Sequence, residues 1–131
     1  DINRHISQIV RTRVATTRSP WLAGMNIGDV YTIAVSHGEG KFVVDAATAR
    51  ELFDNGQVAF QYADCQGEPT GVSPYNPNGS SYAIEGIVSR DGQILGKMGH
   101  HERYEENLFR NIDGEKVLDI FGNAVRYFRK Q

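Results

Sequence analysis

The chain has 131 residues, 40% of them apolar and 23% charged, with a formal net charge of −2 at pH 7. That is enough for one domain with a core of its own, and no apolar run approaches the roughly 20 residues a membrane-spanning helix requires. Lys and Arg are dispersed among acidic residues, and the locally basic start at Arg4, Arg11, Arg13 and Arg18 has no aromatic platform beside it, so neither nucleic acid nor a membrane is an expected partner.

The chain opens at Asp1 with no initiator methionine or signal-peptide architecture, so a longer parent is expected. Residues 6–17 are rich in β-branched side chains with charges at Arg11 and Arg13, which predicts a strand with one wet face, ended by Ser19-Pro20. Residues 30–35 form a short continuous apolar run of the kind found in a doubly covered central strand. Ser36-His37-Gly38-Glu39-Gly40 follows as a turn, residues 42–44 read as a further strand, and residues 45–53 as a helix stopped by Asn55-Gly56. Val58, Phe60 and Tyr62 alternate with polar or small residues, predicting a half-buried strand. Residues 64–81 collect too many Gly and Pro for regular structure and predict a long loop. Two apolar segments, 82–88 and 94–98, flank Asp91-Gly92, a strong hairpin signal. Val117, Phe121, Val125 and Phe128 then recur at helical spacing, predicting a C-terminal packing helix that ends on Arg126, Arg129 and Lys130. Gly122 inside it signals a close approach or a weak point. The whole reads as mixed α/β with a substantial antiparallel component.

The most suggestive chemistry is Met98-Gly99-His100-His101-Glu102-Arg103, just after an apolar strand. In an extended segment His100 and Glu102 point to one side, so the carboxylate could fix one imidazole nitrogen while the other serves a nucleophile. Taken alone, His-x-Glu is a weak signal. A deaminase zinc site would need a Pro-Cys-x-x-Cys partner, and His101 lacks the second histidine of His-Glu-x-x-His. A metal held by His5, His37, His100 and His101 has no ligand spacing to support it. Cys65, the single cysteine, cannot form an internal disulfide and favours a reducing compartment. It is followed by Gln66-Gly67-Glu68-Pro69 rather than a helix, so it does not sit on a nucleophile elbow and reads as an incidental thiol. Asn78-Gly79-Ser80 matches a glycosylation sequon, a pattern short enough to arise by chance.

Several motifs stand together in order: Ser19-Pro20-Trp21-Leu22, Val35-Ser36-His37-Gly38-Glu39-Gly40-Lys41-Phe42, Asn76-Pro77-Asn78-Gly79-Ser80, Ile84-x-Gly86-Ile87, Leu95-Gly96-x-Met98 and His100-x-Glu102-Arg103. In that order they resemble the C-terminal part of a class I glutamine amidotransferase domain, most closely that of the phosphoribosylformylglycinamidine synthases. The resemblance covers nearly the whole chain and implies the C-terminal portion of an open α/β sheet with a C-terminal helix. It implies one partial domain over residues 1–131 and a cytoplasmic location.

The resemblance further implies a Cys-His-Glu triad that hydrolyses glutamine and supplies ammonia for ATP-dependent amination of formylglycinamide ribonucleotide in purine biosynthesis. His100 and Glu102 match its last two members. Asn78, Ser80 and His37 match positions near the glutamine site, and Glu39 shares the His37 turn. The nucleophile is expected in an absent N-terminal half, and ATP and magnesium in an absent synthetase domain. The segment alone is therefore expected to need no cofactor and to be inactive, with glutamine and those two missing parts as its partners. The alternative is an inert docking or regulatory module packed on a synthetase. One departure from the family pattern is visible: proline is commoner where this chain has Gly99 and His101, which predicts a looser turn around His100.

Overall fold

The computed structural model describes residues 4–129. Five strands, β1 (Ile6–Val14), β2 (Val30–His37), β3 (Val58–Ala63), β4 (Ile84–Val88) and β5 (Leu95–Lys97), form one sheet in the order β2-β1-β3-β4-β5, antiparallel at every pairing. Two helices complete the fold, α1 (Ala46–Asp54) after β2 and α2 (Ile120–Phe128) at the end. The mixed α/β class and the C-terminal helix are as expected, and the antiparallel component accounts for the whole five-stranded sheet.

That sheet curls. β2 lies at one end of the strand order and β5 at the other, yet the residue three beyond β5 returns to β2, where the His100 N–H donates to the Ala34 carbonyl at 2.8 Å. Further along the same edge, the Thr32 N–H donates to the Glu115 carbonyl at 2.6 Å. Residues 30–35 therefore do not form the doubly covered central strand their apolar run predicts. Among the described residues only one edge of β2 carries a strand, and its other edge is bonded by irregular chain.

The central position belongs to β3, where all six residues are buried and not half of them. Its second face consists of Ala59, Gln61 and Ala63. The alanines are small enough to be covered closely, and Gln61 satisfies its amide by donating to the Tyr82 carbonyl at 2.9 Å. Opposite Phe60 the β3–β4 register shifts, and a Cβ on Gly86 would come within 2.9 Å of Lys97 Cβ and 3.2 Å of the Phe60 ring. A glycine there lets the two strands close over the irregularity.

Residues 42–44 are not a strand. The Phe42 and Val44 N–H groups donate to the hydroxyls of Ser80 and Ser81, and the Ser81 N–H donates to the Phe42 carbonyl at 2.8 Å, so these backbone groups are consumed by a loop. Val43 is 74% exposed. α1 begins and ends where expected: the Asp45 carboxylate accepts from the Thr48 N–H at 2.8 Å, and Gly56 takes a positive φ of 64° just beyond Asn55.

The β4–β5 hairpin forms around Gly92 (φ 76°), and its tip is fastened by the Pro20–Leu22 turn through Ser19 Oγ to the Gly92 carbonyl (2.6 Å) and Trp21 Nε1 to the Gln93 carbonyl (2.8 Å). α2 packs on that same turn, with Asn123 donating to the Trp21 carbonyl at 3.1 Å. It does so through Ile120, Asn123 and Ala124, not through the predicted stripe, since Val117, Phe121, Val125 and Phe128 are each 46% exposed or more. The two apolar stripes lie at similar spacing, and only the position of the turn selects between them. Gly122 is the third residue of the helix, where a side chain would collide with the capping carboxylate of Asp119. Arg126 turns back to Asp119 and Asn123 instead of facing the C-terminal carbonyls, and Lys130 lies outside the described residues.

If α2 packs by this face, Ile120→Ala should cost about 2–5 kcal/mol in urea denaturation. Val125→Ala should stay within about 0.5 kcal/mol. A reversed order would place the packing face on the other stripe.

Candidate active site

The site is built where β5 runs out. Beyond Lys97 the chain crosses to the end of β2, and three anchors hold it there. The Gly99 N–H donates to Glu85 Oε1 at 2.5 Å, the His100 N–H to the Ala34 carbonyl at 2.8 Å, and Lys97 Nζ reaches the Gly99 carbonyl at 3.3 Å. His100 itself is extended (φ −102°, ψ 93°), but the chain then enters the short His101–Arg103 turn. The turn, not the two-residue repeat of a strand, brings Glu102 back to His100, with Nδ1 and Oε1 2.6 Å apart.

That contact leaves Nε2 as the imidazole nitrogen available for proton transfer. Burial pushes the Glu102 carboxyl up, but the hydrogen bond from His100, its own backbone N–H, and the charges of His100 and Arg103 outweigh this and hold it below the usual glutamate range. The group is thus an ionised acceptor at neutral pH.

His100, His101 and Glu102 line a cavity of about 540 Å³ together with His37, Trp21 and Phe121. His37, the last residue of β2, is placed there by its own strand. Its Nδ1 lies 2.9 Å from Asn78 Nδ2, so the amide donates and the ring proton sits on Nε2, a buried atom with no hydrogen-bond partner among the described residues. Gly40 passes against the ring, and any side chain there would overlap it. Burial lowers the His37 pKa, with the charges of His100 and His5 adding to the effect against the opposing pull of its own backbone and Glu85.

Asn78 therefore reaches the cavity through His37. Ser80 does not line it: the hydroxyl accepts from the Phe42 N–H at 3.0 Å, while its backbone N–H and carbonyl are both engaged by Asn76. Cys65 is exposed in the turn after β3 and is not among the cavity residues. Glu39 is exposed on the His37 turn. Among the described residues, no three His, Cys, Asp or Glu side chains converge in a way that could hold a metal ion.

Glu85 and Lys97 occupy the two open positions in Ile84-x-Gly86 and Leu95-Gly96-x-Met98, which those motifs leave unassigned. They form an ion pair at 2.9 Å, with side chains 0% and 8% exposed. Thr12 Oγ1 from β1 donates to the second Glu85 oxygen at 3.0 Å. A legible signal did exist: one acid and one base, each among apolar residues, in the two strands of a predicted hairpin.

Residues 1–128 match the family of CobB/CobQ-like glutamine amidotransferase domains. The chain belongs to that family. Over 105 residues, 80% of its length, it is 44% identical to the phosphoribosylformylglycinamidine synthase subunit PurQ of Trichormus variabilis. It is 40% identical over 105 residues to the subunit of the same name from Synechocystis sp.. These matches cover 42% and 46% of the two relatives, so the chain spans less than half the length of the curated relatives it matches. The structure of PurLQS from Thermotoga maritima shares the fold, with a TM-score of 0.66 at 23% identity, over 96% of this chain and 49% of that one. No helix among the described residues is long and apolar enough to cross a membrane.

In this amidotransferase domain the two residues that stand in place of proline do not loosen the turn. Gly99 is buried, a side chain on it would collide with Ile33, and its N–H is the group that Glu85 holds. Proline has no such N–H to give. His101 is 9% exposed and tilted against the Phe60 ring at 6.2 Å, with neither ring nitrogen partnered among the described residues. Burial, then the neighbouring charges of Lys97 and His100, push its pKa down to about 3. It is a neutral residue packed on Phe60.

A histidine held neutral by folding must take up a proton when the chain unfolds in mild acid. Its folded pKa lies below the unfolded value of about 6.5, so stability is complete above that value and declines as pH falls toward 3. Acidifying from pH 7 to pH 5 should cost about 2 kcal/mol through this residue alone, read as the shift of a urea unfolding curve. In His101→Leu that pH-dependent loss should shrink by a similar amount.

Proposed function

We propose that this chain carries the histidine and glutamate of a glutamine-hydrolysing Cys-His-Glu triad, whose ammonia serves the ATP-dependent amination of formylglycinamide ribonucleotide in purine biosynthesis. The observation that carries the reading is the 2.6 Å contact between His100 Nδ1 and Glu102 Oε1 on the wall of a cavity. The PurQ name shared by the relatives supports the substrate and the pathway.

The roles follow from the chemistry. A cysteine thiol, supplied by a part of the enzyme outside this chain, attacks the side-chain amide carbon of glutamine. His100 Nε2 takes the thiol proton and returns it to the nitrogen of the tetrahedral adduct, whose C–N bond breaks to release ammonia and leave a thioester. His100 then takes a proton from water as the water attacks, and the thiol is restored as glutamate leaves. Glu102 holds Nδ1–H throughout, which selects the tautomer and stabilises the imidazolium formed at each transfer. His37, its ring fixed by Asn78 at Nδ1, lines the cavity that would receive glutamine. Ser80 serves only through the loop that carries Asn78. ATP and magnesium act in the synthetase, the partner that would use the ammonia.

A second reading, an inert module docked on a synthetase, draws on the exposed apolar stripe of α2 at Phe121, Val125 and Phe128. One experiment separates the two. In the assembled synthase, His100→Ala should lower glutamine-driven product formation by about 10²-fold or more, while ammonia-driven formation stays within about twofold. Glu102→Gln should impair the same activity less severely. If glutamine-driven turnover survives His100→Ala, the docking reading replaces the triad.

A further inference from the structure

Glu85 has no place in the chemistry just described, yet its carboxylate is the most constrained acid among the described residues. Its side chain is 0% exposed. Oε1 accepts from the Gly99 N–H at 2.5 Å and from Lys97 Nζ at 2.9 Å, and Oε2 accepts from Thr12 Oγ1 at 3.0 Å. These donors come from β1, from β5 and from the segment that carries His100.

Burying a charged pair in this way brings no assured gain in stability over apolar residues of similar volume, so its presence calls for another reason. The geometry supplies one. Lys97 Nζ also lies 3.3 Å from the Gly99 carbonyl, so the pair grips both the N–H and the C=O of the residue immediately before His100. Gly99 can sit this close because it has no side chain; an added Cβ would already be 2.9 Å from Glu85 Oε1. On the far side, the His100 N–H is fixed to Ala34. The backbone from which the imidazole projects is thus clamped on two consecutive residues, one of them by a buried charge.

We propose that Glu85 is a positioning residue for His100: with Lys97 as its counter-ion, it grips the Gly99 peptide and sets the direction in which the imidazole enters the cavity. This rests on the reading of His100 as the glutaminase base. Glu85 touches neither substrate nor the transferred proton. Its loss acts on kcat for the glutamine-driven reaction, because a base displaced by a fraction of an ångström still permits glutamine to bind.

The test uses the assembled synthase and three variants of this chain: His100→Ala, Glu85→Gln, and the double variant Glu85→Ala with Lys97→Met, which removes both charges so that neither is left buried and unpaired. Unfolding curves establish that the variants are folded. In the double variant glutamine-driven kcat should fall by about 10²-fold while KM for glutamine and ammonia-driven synthesis stay close to the parent's. Glu85→Gln keeps an oxygen acceptor for the Gly99 N–H and should recover part of the loss. It also decides the matter by the same kcat readout if the double variant does not fold, since its own kcat should still lie below the parent's. If His100→Ala abolishes glutamine-driven turnover but the Glu85 variants retain the parent's kcat, the positioning role is wrong and the triad stands. If His100→Ala leaves glutamine-driven turnover intact, the triad falls and the role of Glu85 falls with it.

Discussion

The curl of the sheet is organised around a carboxylate with no exposed surface. Glu85 projects from β4, and its two oxygens accept hydrogen bonds from β1, from β5 and from the crossing segment at Gly99. An acid removed from water must be matched by donors in good geometry, because one left unpaired costs several kcal/mol. That requirement ties β4 to β1, to β5 and to Gly99, and from Gly99 the next residue, His100, bonds to Ala34 of β2, which is not a neighbour of β5 in the strand order. Lys97 meets the same requirement in reverse. Burial pushes its pKa down, and the Glu85 carboxylate at 2.9 Å works against that loss of charge. The phenol of Tyr62, buried beside Glu85, is pushed upward by burial and then by that charge, so it remains neutral.

The curl places the chemistry. β2 ends at His37 and the chain after β5 reaches Ala34 of the same strand, so His37 and the His100 segment face one cavity although 62 residues separate the two histidines in sequence. The loop before β4 supports the wall from behind by delivering Asn78 to His37. Its own shape depends on Asn76, buried and bonded to both the N–H and the carbonyl of Ser80. A polar loop thereby acts as scaffold, and the residues that carry it, Asn76 and Ser80, have their hydrogen-bonding capacity committed before any ligand arrives.

Local signals were legible wherever one residue type dictates backbone geometry. Asp45 and Asn55-Gly56 bound α1, Gly92 sits in the hairpin between β4 and β5, and the breaker-rich stretch before β4 is a loop. The His-x-Glu spacing located the His100–Glu102 pair, although a short turn makes the contact in place of an extended strand. Less legible were questions of neighbourhood. An apolar run at residues 30–35 is compatible with a central strand or with an edge covered by irregular chain, and hydropathy does not distinguish them. The alternation at Val58, Phe60 and Tyr62 suggests a wet face, but Ala59 and Ala63 are small enough to be covered, and Gln61 finds a carbonyl.

By itself, then, the sequence determined the local conformations set by Gly, Pro and capping side chains, the mixed α/β class, and the family to which the chain belongs. Only the tertiary structure decided which of the two apolar stripes of α2 is buried, that Ser80 closes a loop instead of lining the cavity, and that Glu85 and Lys97 share a buried ion pair. The physical reason is common to all three. Hydrogen-bond satisfaction and burial depend on partners distant in sequence, such as Trp21 for Asn123, Phe42 for Ser80 and Thr12 for Glu85, and those partners are chosen by how the sheet curls.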